Sequence, residues 1–119
     1  MEKVNVKEKF DAISDYWNPR IVGELNGQHV KAVKIKGDFV WHLHENEDEL
    51  FYVVKGVLTL EFRTKTVIVN EGEFMIVPRG VEHRPCANEE AHILLFEPAS
   101  TLNTGNITNE RTRSKLEKI

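Results

Sequence analysis

Between Arg20 and Pro98 the chain is a string of short apolar runs, each cut off by turn-forming residues. That rhythm limits the fold more than any other feature. Val, Ile, Phe and Tyr dominate the runs, and these residues suit a pleated, half-buried surface better than a helix. Asn26-Gly27 predicts a two-residue hairpin between Ile21–Leu25 and Gln28–Ile35, because both central residues of a type I′ turn need positive φ. Lys36-Gly37-Asp38 breaks the chain next, before strands Phe39–His44 and Leu50–Val54 on either side of Glu45-Asn46-Glu47-Asp48. The later runs Val57–Phe62, Val67–Val69, Phe74–Val77, Glu82–Arg84 and Ala91–Glu97 are divided by further turns, the last of them Asn88-Glu89-Glu90. About nine or ten strands with turns about every 8 to 12 residues predict an all-β, antiparallel sandwich or small barrel over residues 20–98.

The two ends read differently. Asn5 and Glu8 form a capping box, and Val6, Phe10 and Ile13 recur at helical spacing, so residues 5–14 are expected as a short helix within a lead-in of residues 1–19. Pro19 stops any continuation. Beyond Pro98 the alternation disappears. Arg111, Arg113, Lys115 and Lys118 against Glu110 and Glu117 leave residues 99–119 at +2 and the rest at -5. This stretch is expected as an irregular tail on the barrel surface, fraying after about Gly105.

The 119 residues and 13.7 kDa allow one domain, which excludes two-domain dehydrogenases and TIM barrels. A net charge of -3 argues against nucleic acid or anionic lipid as a partner. The one cysteine, Cys86, has no internal partner, and no apolar run reaches the roughly 18 residues of a membrane span. With no signal-peptide pattern at the N-terminus, a cytoplasmic location is expected.

Chemistry enters with the histidines. In Trp41-His42-Leu43-His44 two imidazoles stand at i and i+2, which share a face in a strand. Glu49 opens the neighbouring run, and His83 follows Pro78-Arg79-Gly80. Imidazole and carboxylate together suit Fe, Mn, Ni, Zn or Cu rather than Ca or Mg. Unpaired polar groups inside a barrel cost about 1–3 kcal/mol each, so a grouped set needs a reason that a single histidine does not.

These residues resemble the two motifs of the cupins. Gly37, His42, His44, Glu49 and Gly56 match the first, and Gly72, Pro78, Gly80 and His83 match the second. Fifteen residues separate Gly56 from Gly72, as in small bacterial cupins. Four residues rather than five lie between Gly37 and His42, and Asn88 is displaced by one position from the family's asparagine. The resemblance covers about residues 30–97 and is nearest to stand-alone cupins of the mannose-6-phosphate-isomerase-like kind. It implies a double-stranded β-helix, or jelly roll, with one divalent transition metal on His42, His44, Glu49 and His83. It further implies a small-molecule ligand and a homodimer.

Alternation places Phe51 and Val53 beside Glu49, and Val40 beside His42 and His44. If Asn88-Glu89 is a hairpin turn, His92, Leu94 and Phe96 face the pocket too, with His92 either at its rim or solvated. Arg79 and Arg84 flank His83 and are candidate clamps for an anionic group, surface positions being the plainer reading. Phe39, Trp41 and Leu43 fall on the outer face, to be covered by the N-terminal helix or a second subunit. Three functions remain open. One is a mononuclear metalloenzyme of isomerase, epimerase or dioxygenase type; the others are a non-catalytic barrel that binds a sugar or metabolite, and a structural barrel.

Overall fold

A computed structural model describes residues 1–119 and places seven strands and one helix along the chain. Helix α1 is Val6–Asp11. The strands are β1 (Arg20–Leu25), β2 (Gln28–Asp38), β3 (Glu49–Lys55), β4 (Leu58–Phe62), β5 (Thr66–Val69), β6 (Phe74–Val77) and β7 (His83–Pro98). All pairings are antiparallel, in the order β1-β2-β7-β3-β6, with β4 joined to both β5 and β7. The all-β barrel with a short N-terminal helix is therefore as expected. No helix is long and apolar enough to cross a membrane.

The hairpin at Asn26-Gly27 forms as predicted, with φ of 50° and 76° and Leu25 opposite Gln28. Two other expected turns do not exist. Strand β2 runs straight through Lys36-Gly37-Asp38, and its register against β7 slips between Ile35 and Gly37, where Gly37 takes φ 82°. On β7, Asn88, Glu89 and Glu90 are exposed but the strand continues. Polar residues at a bulge have turn composition, and two long strands were thus divided into short ones. At Phe39–His44 the reverse holds, and no strand forms where the alternation predicts one. That segment is irregular, tied to β7 by one bridge between His42 and His83.

β7 organises the barrel. Its first residues, His83–Cys86, pair with β4, while Ala91–Pro98 lie between β2 and β3. Residues taken in steps of two from Ala91 point inward and join Val33, Phe51, Val53, Leu58 and Leu60 in the main core. A smaller cluster holds α1 to β2 through Phe10, Ile13 and Ala32. The helix is shorter than expected, because Ala12 caps it and Ile13 packs from beyond its end.

Where fraying was expected after Gly105, the tail is hydrogen-bonded as far as its last residue. Thr101 and Thr104 are buried, and Thr104 Oγ1 donates to the Ile107 carbonyl at 2.6 Å. Ile21 N–H donates to the Glu117 carbonyl, and Ile119 N–H to the Ile21 carbonyl, so Lys118 bridges to β1. Backbone pairing, not apolar burial, secures the end.

Candidate metal centre

His42, His44, Glu49 and His83 come together from three places in the chain, and their ligand atoms lie within 4.8 Å of one another. All four are at most 4% exposed. Glu49 opens β3 and His83 opens β7, so both are set by strand ends. His42 exchanges backbone hydrogen bonds with His83 at 3.0 and 2.9 Å. Gly80 N–H donates to the His44 carbonyl, which ties the Pro78-Arg79-Gly80 loop to the same segment. Between the two histidines, Leu43 N–H donates to Asn106 Oδ1 and the Leu43 carbonyl accepts from Asn106 N–H. The tail thus braces the irregular segment that bears the histidines. Sequence reasoning missed Asn106. Gly105 beside it, at φ 56°, has no room for a Cβ against the Leu43 carbonyl.

The ring nitrogens are sorted by their backbone partners. His42 Nδ1 lies 2.9 Å from the Val40 carbonyl and His83 Nδ1 lies 2.9 Å from the Val81 carbonyl. Each Nδ1 carries a proton to donate there, which fixes the ring and turns each Nε2 toward the centre. Toward the centre, His44 Nε2 and His83 Nε2 stand 3.3 and 3.5 Å from Glu49 Oε1. All three atoms are buried without a hydrogen-bond partner. Burial, and next the neighbouring His83, push His42 down to about 4, so its imidazole is neutral at ordinary pH. Imidazoles and a carboxylate with unpartnered atoms around one point fit a transition metal and no protein group.

Behind Glu49 lies a buried pair that sequence reasoning also missed. Lys31 Nζ donates to Glu97 Oε1 at 2.8 Å, and the two residues are 1% and 2% exposed. Glu97 in turn meets Glu49 side chain to side chain. Burial first, then the Glu49 charge, raises the Glu97 carboxyl well above the usual range. Burial acts to raise Glu49 as well, but its polar contacts with Glu97, His44 and His83 outweigh it and hold Glu49 low. Of the two carboxyls, Glu97 is thus the one that more readily takes up a proton and Glu49 the one that more readily stays ionised. The signal was present in the sequence: Glu97 stands in step with Ile93 and Leu95, a charge in an apolar row.

A cavity of about 40 Å³ opens beside the centre, with His42 and Glu49 on its wall and Phe51, Trp17, Phe39 and Ile93 around it. Phe51 stands where alternation put it, edge-on to His83 at 5.9 Å. Val53 lies deeper, fully buried in the core, and Val40 contributes only its carbonyl. His92, Leu94 and Phe96 are on the other face. His92 stacks on Phe10 at 4.7 Å and meets Glu90, Leu94 packs on the helix cluster, and Phe96 is exposed. Without the supposed hairpin, steps of two from His83 land on Ile93 and Leu95, which do line the cavity.

The arginine clamps also fail. Arg79 pairs with Asp48 at 3.4 Å and Arg84 with Glu61 at 2.8 Å, both outside the cavity. The outer apolar face dissolves too. Phe39 turns inward and stacks on Trp17 at 4.8 Å, while Trp41 lies under the Arg63 guanidinium at 3.8 Å. Cys86 is a structural thiol: burial, with Glu61 and Asp38 nearby, raises it to about 12.

The family model described as "Cupin domain" matches residues 30–97. A solved cupin-2 domain containing protein from Shewanella frigidimarina is 41% identical, with a TM-score of 0.79 over 80% of this chain and 93% of that one. The uncharacterized protein YdbB of Bacillus subtilis is 33% identical over 53% of this chain. The 3-hydroxyanthranilate 3,4-dioxygenase of Xenopus tropicalis is 31% identical over 79% of it. The chain spans 57% and 36% of the length of these two curated relatives.

Proposed function

The chain belongs to the cupin family, and from that premise we propose that it is a mononuclear metalloprotein acting on a small oxygen-rich metabolite. One observation carries the reading: three imidazoles and a carboxylate, all buried, bring their ligand atoms to one point, and Nε2 of His44 and His83 and Oε1 of Glu49 have no hydrogen-bond partner there. His42, His44, Glu49 and His83 would hold the ion. A divalent transition metal there supplies Lewis acidity toward a bound oxygen ligand or, as iron, the chemistry of dioxygen. The chain's own part is to hold and exclude. The carbonyls of Val40 and Val81 keep Nδ1 protonated on His42 and His83. Glu97, its carboxyl raised by burial and by the Glu49 charge, backs Glu49, and the apolar wall of Phe51, Ile93 and Leu95 keeps bulk water out. Likeness to a dioxygenase supports the oxidative branch over isomerisation. The test is metal analysis of untagged protein. About one equivalent of metal, lost in His44→Ala, is expected; a metal content unchanged by that substitution would sink the proposal.

A binding or sensing barrel that performs no reaction is the second reading. Its support is that Asn103, the cavity's one polar side chain besides the two ligands and the Trp17 indole, already bonds the backbone of Arg111 and Arg113. No free acid or base is left beside the ligand. Turnover of an added metabolite by the metal-loaded protein would exclude it.

A homodimer remains part of the proposal, on a new basis. Ile68, Phe74 and Ile76 are 53%, 60% and 51% exposed on β5 and β6, which lie at margins of the sheet. Exposed apolar residues beside unpaired strand edges favour a second copy. Light scattering at tens of micromolar should show Phe74→Glu as a monomer and the unaltered chain as a dimer.

A further inference from the structure

We infer that Arg111, carried by the C-terminal tail, is an anion-recognition point at the cavity mouth, and that the ligand is a small monocarboxylate with a flat apolar body. This deepens the reading above and rests on it only for what the far end of the ligand meets.

The guanidinium carbon of Arg111 lies 5.8 Å from the Trp17 ring and 5.7 Å from the Phe39 ring. Those rings stack on each other and both line the cavity. The chain has six arginines: Arg20, Arg63, Arg79, Arg84, Arg111 and Arg113. Five of them have a partner for the guanidinium: Asp15, Glu82, Asp48, Glu61 and the Glu110 carbonyl, respectively. Arg111 has none, although its Nη1 is buried. A buried cationic donor left unbonded is costly, and contact with ring faces leaves its in-plane N–H groups unused. A carboxylate satisfies two of them at once.

Arg111 is also held where it stands. Its N–H donates to Asn109 Oδ1 at 2.8 Å, and its carbonyl accepts from Asn103 Nδ2 at 2.9 Å. Asn103 itself lines the cavity. Trp17 beneath it has φ 58°, a conformation that a bulky side chain rarely adopts. Its N–H and Nε1–H are tied to the Lys34 and Lys36 carbonyls. Such strain persists where surrounding structure over-determines it, as at ligand clamps.

Charge and wall chemistry define the ligand. Arg111 is the one unpaired cation beside the cavity, since Lys31 is taken by Glu97. A single cation matches a monoanion better than a phosphate dianion. Phe39, Phe51 and Trp17 offer flat apolar contact and no further hydrogen-bonding side chain except Asn103.

Fluorescence can test this, because Trp17 and Trp41 are the only tryptophans. In a Trp41→Phe background, emission of metal-loaded protein is titrated with benzoate, benzamide and inorganic phosphate. Benzoate should bind saturably and more tightly than the other two. Arg111→Gln should weaken benzoate about tenfold or more and leave benzamide unchanged, with Arg111→Lys recovering part of the loss. Equal benzoate affinity in Arg111→Gln, or phosphate preferred over benzoate, overturns the assignment. So does no saturable quenching in the folded protein, with folding checked by thermal melting. Metal content is measured on the same samples. Benzoate discrimination without stoichiometric metal would sink the metalloprotein reading and leave Arg111 standing.

Discussion

Glu49 has a pair of basic and acidic side chains on each side. Lys31 and Glu97 meet at 2.8 Å behind it with almost no exposure, while Asp48, its neighbour in sequence, meets Arg79 at 3.4 Å in open solvent. The exposed pair is the nearer along the chain, but the buried pair touches the Glu49 side chain. The difference teaches that influence on the centre follows burial rather than sequence distance. Water screens Asp48–Arg79 and leaves it to shape a loop, where Arg79 N–H also donates to Asp48 Oδ1. Nothing screens Lys31–Glu97.

The largest expected effect is on the buried side. Glu97→Leu strands the Lys31 ammonium and should cost about 3–5 kcal/mol in chemical denaturation. Lys31→Met combined with Glu97→Leu should recover most of that loss. A single substitution as mild as its surface counterpart would erase the contrast.

Next comes pH. His42 titrates near 4 in the folded, metal-free protein, against an ordinary 6.5 when unfolded. The folded state therefore binds fewer protons between these values. Its contribution, about 3 kcal/mol at most, is complete above pH 6.5 and is lost as pH falls toward 4. Denaturant melts of stripped protein at pH 7 and pH 4.5 should show the decline, and metal should oppose it.

Glu97→Gln keeps the shape and an acceptor for Lys31 but removes the acid, and should lower metal affinity by about 10- to 100-fold with the fold intact. Calorimetric titration with zinc or manganese measures this. Last, Arg79→Ala should change neither the unfolding midpoint measurably nor the metal affinity. A metal-affinity loss there equal to that of Glu97→Gln would mean that the outer loop, not the buried pair, sets Glu49.

The same contrast separates what could be read in the sequence from what could not. His42, His44, Glu49 and His83 were readable because their identities and spacing are local, and the Asn26-Gly27 hairpin because positive φ at two successive residues has a compositional signature. Asn88-Glu89-Glu90 misled because an exposed bulge and a turn use the same residues. That one error moved the predicted pocket wall from Ile93 and Leu95 to Leu94 and Phe96. Lys31 and Glu97 pair across 66 positions, which no short window reveals. The tail was misjudged because Thr104, Asn103 and Asn106 hold it by hydrogen bonds, to which hydropathy is blind.

The docking of residues 117–119 along Ile21 bears on how many chains can assemble. A sheet with two accepting edges can add copies head to tail and grow into a filament. Here the β1 edge is occupied at Ile21 by residues 117–119, while β5 and β6 remain open. Residues 117–119 thereby shield that stretch of β1, and any other strand seeking the Ile21 backbone groups would first have to displace them.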